Sequence, residues 1–219
     1  KRDEKATYEK LMFDAWQIIQ DIKAFTPRRM INDIPRGIFV ENDRRISDFF
    51  QSFINVFQKR YESETMCLKV KSPCTIIGDI HGNIADLLTL ERYLWKNIPF
   101  LGKNLVFLGD YVDRGRWGVE CFLYVVALKT ILPDQVTLLR GNHEIRTLQN
   151  KYSFTNECLD KYGPLRGALI QELANKIMDF LPISAIIDGN VYCAHGGIPH
   201  ESLDLSQVRK LPIPMPNPF

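Results

Sequence analysis

The chain offers little for covalent or metal cross-bracing of the ordinary kinds. Its five cysteines, Cys67, Cys74, Cys121, Cys158 and Cys193, are odd in number and widely scattered, poor material for a disulfide framework. None forms a Cys-x-x-Cys pair, which argues against a structural zinc site. Reduced thiols of this kind predict a cytosolic or nuclear protein. No apolar run approaches a membrane span of ~20 residues, and no signal peptide is visible, so no membrane association is expected. The net charge of +2 is too small to point to nucleic acid. There are no internal repeats and no low-complexity segments. Histidine is scarce as well, with four residues: His81, His143, His195 and His200.

What is present is ordinary in bulk and specific in detail. The 219 residues are 45% hydrophobic and 25% charged, a composition able to bury a sizeable core in one large domain or two small ones. The chain begins at Lys1 without an initiator methionine and ends in the proline-spaced run from Leu211 to Phe219, so both ends are expected to be cut or processed.

Leu11, Met12, Ala15, Trp16, Ile19 and Ile22 recur at helical spacing over residues 8–25, and Thr26-Pro27 is the expected stop. A second helix is expected over 43–62, with Ile46, Phe49, Phe50, Phe53 and Phe57 on one face as core. From about residue 65 the pattern alternates. Strands are expected at 66–70, 75–78, 104–108 and 136–139, and helices at 84–97, 117–132, 155–162 and 165–180. Paired strands at 183–187 and 191–194 would flank the turn Asp188-Gly189-Asn190. Alternation implies an α/β fold with a mostly parallel sheet, and the late hairpin implies a second sheet or an antiparallel extension. The helical start, residues 1–40, is expected to pack on a catalytic domain spanning 41–211, followed by a proline-spaced tail, 212–219.

Four phrases each follow a strand-like run: Gly78-Asp79-Ile80-His81-Gly82, Gly109-Asp110-Tyr111-Val112-Asp113-Arg114-Gly115, Arg140-Gly141-Asn142-His143-Glu144 and His195-Gly196-Gly197. In open α/β sheets ligands collect beyond the carboxyl ends of strands, so loops over a hundred positions apart can converge. Carboxylate, amide oxygen and imidazole suit a hard or borderline divalent metal. Asp79 and His81, at i and i+2 of an extended segment, would face one side and grip one ion. Asp110 has two oxygens and could bridge two ions, while Asn142 and His195 could hold the second.

The charge count favours phosphate chemistry. Two divalent ions bring +4, Asp79 and Asp110 return −2 and a hydroxide −1, so the centre stays positive and Arg114 adds to it. Such a pair of metals can generate hydroxide near neutral pH and hold an in-line displacement. His143, next to Asn142, would point elsewhere and protonate the leaving group, with Asp113 to orient it and Arg114 to fork phosphate oxygens.

Each phrase has a plainer reading. Gly-Asp-x-His can be a turn, Asp-Arg a surface ion pair, Asn-His-Glu a helix cap and His-Gly-Gly a tight loop. All four plain readings must hold together to remove the site. His200 is solitary and reads as an exposed loop residue, and Glu144 as a loop-positioning group.

These phrases resemble the metal-dependent serine/threonine protein phosphatases of the PPP family, the type-1, type-2A and calcineurin-like catalytic subunits. The likeness runs from about residue 30 to 211 and includes Phe154-Thr155-Asn156-Glu157-Cys158 and Leu181 to Asp188. It implies a calcineurin-like metallophosphoesterase fold, a central β-sandwich flanked by helices and incomplete at its C-terminus. It implies two divalent ions, manganese first, with iron or zinc as alternatives. Asp79 and His81 would bind the first, Asp110 would bridge, and Asn142 and His195 would bind the second. His143 would donate the proton, Asp113 would be its partner, Arg114 a phosphate ligand and Tyr152 part of the substrate cleft. Substrates would be phosphoproteins, with regulatory or targeting subunits as partners.

Ile145 and Ile198-Pro199 depart from close relatives, which bears on subtype. The family continues past this chain and supplies a further histidine ligand and arginine. Two alternatives therefore stand beside phosphatase activity: an inactive or truncated relative kept for binding, and a dinucleoside polyphosphate hydrolase, which usually carries Asp where this chain has Glu144.

Overall fold

The computed structural model describes residues 2–25, 30–31, 34–42, 44–198 and 204–216. Helix α1 (Arg2–Ala24) starts earlier than its periodicity suggests. Its buried stripe is Leu11, Ala15, Ile18, Ile19 and Ile22, whereas Trp16 is exposed and Met12 half-buried. The stripe follows i, i+4, i+7 steps, which puts positions 12 and 16 on its border rather than in the core. The expected stop at Thr26-Pro27 and the expected second-helix start at Asp43 lie outside the described residues.

A short antiparallel pair, β1 (Met30–Ile31) and β2 (Ile34–Pro35), and a 3-10 turn at Val40–Asn42 lead to α2 (Arg44–Ser63). Ile46, Phe49, Phe50, Phe53 and Phe57 are all buried there. Phe53 and Phe57, one turn apart, stack with centroids 4.4 Å apart.

Two three-stranded sheets follow. One is parallel: β4 (Cys74–Ile77), β5 (Asn104–Phe107) and β6 (Val136–Leu138), joined through α3 (Ile84–Leu94) and α4 (Gly118–Ile131). The other pairs β3 (Cys67–Val70) in parallel with β7 (Ser184–Ile187), which turns through Asp188-Gly189-Asn190 into antiparallel β8 (Val191–Ala194). The late hairpin therefore belongs to a second sheet. Strand side chains alternate between faces. Val106 and Leu139 meet Val70, Ala185, Ile187 and Cys193 in a small core, while Leu105 and Phe107 face the main core shared with α1–α4 and α6 (Phe154–Met178).

Every residue of α4 is buried. Its polarity pattern has no wet face, as a helix enclosed by α1, α3, α6 and a sheet requires. Its first amides have no local cap; Gly118 and Val119 donate instead to the Glu157 carboxylate of α6 at 3.0 and 2.9 Å. The two helices expected over 155–180 form one run broken at Gly163, where φ is 77°. Two short helices, α5 (Arg146–Gln149) and α7 (Leu205–Arg209), add to the expected set. Among the described residues no helix is long and apolar enough to cross a membrane.

Candidate metal centre

The four phrases occupy the loops after β4, β5, β6 and β8. The first two loops are zipped together. The amides of Ile80 and His81 both donate to the Asp110 carbonyl, at 3.0 and 2.9 Å, and Gly82 donates to Tyr111 at 3.0 Å. Of the six described non-glycine residues with positive φ, four are His81, Asp110, Asp113 and Arg114. Backbone strain of this kind persists only where surrounding contacts over-determine it, and it collects at functional sites. His81 is left-handed (φ 45°), so Asp79 and His81 come together through a turn and not through the extended i, i+2 geometry expected from the sequence. Their closest approach is 3.7 Å, Nε2 to Oδ2.

Asp110 is the centre of the arrangement. Its Oδ2 lies 3.3 Å from His81 Nε2, 3.2 Å from His195 Nε2 and 4.0 Å from His143 Nε2. His195 Nε2 is also 2.9 Å from Asn142 Oδ1, and its Nδ1 is 3.7 Å from Asp79 Oδ1. Two overlapping sets, His81/Asp110/His143 and Asp79/Asp110/His195, each bring their donor atoms within 4.8 Å of one another. Burial alone would raise the Asp110 carboxyl. The hydrogen bond from His195 and the His143 amide outweigh it and hold the carboxyl below its ordinary value. His195 is raised in turn, first by its hydrogen bond to Asp110, with partial burial opposing.

One buried atom tests whether a cation fits. His81 Nδ1 is 2.9 Å from the Val112 carbonyl. A carbonyl only accepts, so Nδ1 carries the proton and Nε2 presents a lone pair. That Nε2 is buried without a hydrogen-bond partner, yet it faces a carboxylate oxygen. Two acceptors aimed at each other suit a shared cation, and a carbonyl that orients the far ring nitrogen is the usual support for a histidine ligand. Nothing in the sequence marks Val112 for this task, because any residue could supply the carbonyl.

His143 is set apart by its second nitrogen. Nδ1 donates to Asp113 Oδ2 at 2.8 Å, and both side chains are buried. The other oxygen of Asp113 accepts from the amides of Ser153 and Phe154, at 3.0 and 2.7 Å, and so caps the start of α6. The Tyr152 ring lies against His143 with centroids 4.7 Å apart, and it is half exposed. Arg114 is exposed, and among the described residues no hydrogen bond or ion pair engages it.

Glu144 is fully buried and accepts three amides, from Asp110, Tyr111 and Gly141, at 2.7, 2.9 and 2.9 Å. Burial pushes its carboxyl up to about 7, although those three donors favour the ionised form. It ties the β5 loop to the β6 loop. Thus Asp79, His81, Asp110, Asn142 and His195 are brought together, with His143, Asp113 and Tyr152 alongside. His200 lies outside the described residues.

The chain is similar to known proteins. The family model described as calcineurin-like phosphoesterase matches residues 72–219. Among solved structures, the chain is similar to a protein serine/threonine phosphatase from Saccharomyces cerevisiae described as similar to human phosphatase PP5. The TM-score is 0.67 at 27% identity, over 83% of this chain and 57% of that one. The chain thus spans little more than half the length of that neighbour. With the match extending over most of its residues, the chain belongs to the calcineurin-like phosphoesterase family, enzymes that cleave phosphate esters with divalent metals.

Proposed function

We propose that the chain hydrolyses phosphoserine and phosphothreonine esters in proteins. The observation that carries the reading is the buried His143–Asp113 pair set directly beside the donor cluster centred on Asp110. Asp79, His81 and Asp110 would hold one ion, and Asp110, Asn142 and His195 the other. Carboxylate, amide oxygen and imidazole suit several divalent ions, and the family likeness puts manganese first, with iron or zinc as alternatives. When bound, such ions supply Lewis acidity to the phosphoryl oxygens and lower the pKa of water.

The remaining work falls to the chain. Arg114, unengaged at the rim, forks two phosphate oxygens. Asp113 holds the His143 ring by its Nδ1–H, and in the imidazolium form the Nε2–H faces the reaction and protonates the departing serine or threonine oxygen. The open, half-exposed ring of Tyr152 forms a wall against which a peptide rests. An extended phosphopeptide fits an exposed rim better than a closed pocket would. Regulatory subunits that supply targeting, and a cytosolic or nuclear setting, accompany this reading.

Phosphate release from a phosphoserine or phosphothreonine peptide with added manganese tests it. The expected result is release that is lost on chelation and in His143→Gln. Turnover of diadenosine tetraphosphate but not of the peptide would replace the reading with the dinucleotide hydrolase. No turnover of either, with manganese bound, would favour a binding module.

A further inference from the structure

Arg140 directly precedes Gly141 and Asn142, and its side chain is buried. Its Nε and one terminal nitrogen both donate to the Glu144 carbonyl, at 3.0 and 2.9 Å. One guanidinium therefore links the two ends of the turn that presents Asn142 and His143. The same group reaches two distant segments. It donates to Asp179 Oδ1 at 3.3 Å, to the Met215 carbonyl, and to the Pro216 carbonyl at 3.5 Å.

Met215 is held from its other side too, because its amide donates to the Asp179 carbonyl at 2.8 Å. Asp179 is fixed in turn by a bidentate pair with Arg146, at 2.8 and 3.0 Å. Met215 stands between Pro214 and Pro216, neither of which has an N–H, so it alone of the three can donate an amide here. Its side chain packs with Met66, Cys67, Ile186 and Val208 under the second sheet. A planar fork of donors thus joins four acceptors drawn from three separate stretches of chain.

The geometry points to a brace in which the proline-spaced segment, through Met215, and Arg140 set the position of the turn bearing Asn142 and His143. Neither residue is among the candidate donors; both are positioning residues. The inference rests on the proposed roles of Asn142 and His143 for its effect on metal, but not for the brace itself.

Amide hydrogen exchange on the full chain, without metal, reads the brace directly. The probes are the Gly141 and His143 amides, which donate to Glu144 and Asp110. Met215→Pro removes the amide held by Asp179. Arg140→Lys keeps the charge but cannot fork to three segments. Each should speed exchange of the Gly141 and His143 amides at least ~10-fold, as local opening does, with α4 and β5 amides unchanged. A manganese titration should show affinity weakened ~10–100-fold, the range for residues that support ligands from behind.

Unchanged exchange at 141 and 143 in Met215→Pro overturns the brace, and so does an equal loss of protection throughout the molecule, which signals general destabilisation. If Arg140→Lys fails to fold, Met215→Pro decides alone. A wild-type chain that binds no manganese overturns the proposed ligand roles, while the exchange result still decides the brace.

Discussion

Gly109 and Gly141 meet backbone to backbone, with no room for a Cβ on either. A Cβ on Gly109 would lie 2.9 Å from the Arg140 carbonyl carbon and nearer still to Gly141, and one on Gly141 would lie 2.8 Å from Glu144 Oε2. Gly109 also has a φ of 109°, which side chains other than hydrogen resist. The close approach lets the loops carrying Asp110 and Asn142 share one site. Gly141→Ala should therefore cost about 1–3 kcal/mol, the range for overpacking a tight interior, with manganese binding weakened as well. Urea unfolding measures the first effect; an unchanged midpoint would mean that the loops yield easily.

Asp110 faces three histidines, so its carboxylate should control metal content. Manganese at ~100 times its dissociation constant should raise wild-type stability by about 2.7 kcal/mol. Asp110→Asn keeps the shape and removes the charge, and most of that gain should vanish along with activity. Thermal unfolding with and without manganese checks this; full activity and metal content in the variant would end the bridging assignment.

His143→Gln should keep both ions and lose turnover by ~10²–10⁴-fold, the usual contribution of a positioned proton donor. Metal analysis beside kcat separates this outcome from loss of a ligand, which would reassign His143 to the metal set. Asp113→Asn should lower kcat as well. Asp113→Ala, which unlike Asn also removes the acceptor of the Phe154 amide at 2.7 Å, should lose about 1 kcal/mol of stability as well, whereas His143→Gln has no cap to lose.

A second buried cluster lies away from the site. Lys161 donates to Glu120 and Glu157 at 2.7 and 2.8 Å, with all three side chains buried. Lys161→Met would leave two carboxylates without their cation and should cost about 3–5 kcal/mol near neutral pH. Burial already raises the Glu157 carboxyl above its ordinary value, and losing the cation raises it further. A carboxyl raised in the folded state holds more protons there than in the unfolded chain. Its contribution is therefore present at low pH and lost as pH rises through the folded value. The deficit of Lys161→Met should be smaller at pH 5 than at pH 8, and urea unfolding at both values measures it; a pH-independent deficit would contradict the account.

Much of this molecule is written in short stretches of chain. The phenylalanines of α2 recur at helical spacing and are buried. Val191–Ala194 forms a strand as its alternation and preceding turn suggest, and the four glycine-flanked phrases stand at strand ends. These features depend on neighbours within a turn or two, where periodicity and turn chemistry act directly. Trp16 shows where local reading stops, since a border position on a helix is placed by what packs against it.

Other features join residues that no local rule relates. β3 pairs with β7 across more than a hundred residues, and the left-handed backbone at His81 follows from two amides that share the Asp110 carbonyl. His81 is oriented by the Val112 carbonyl, and Arg140 finds Met215 by way of Asp179. Such links are chosen when two loops must satisfy each other's buried polar groups. The choice depends on distances through space, and the order of residues along the chain does not contain them.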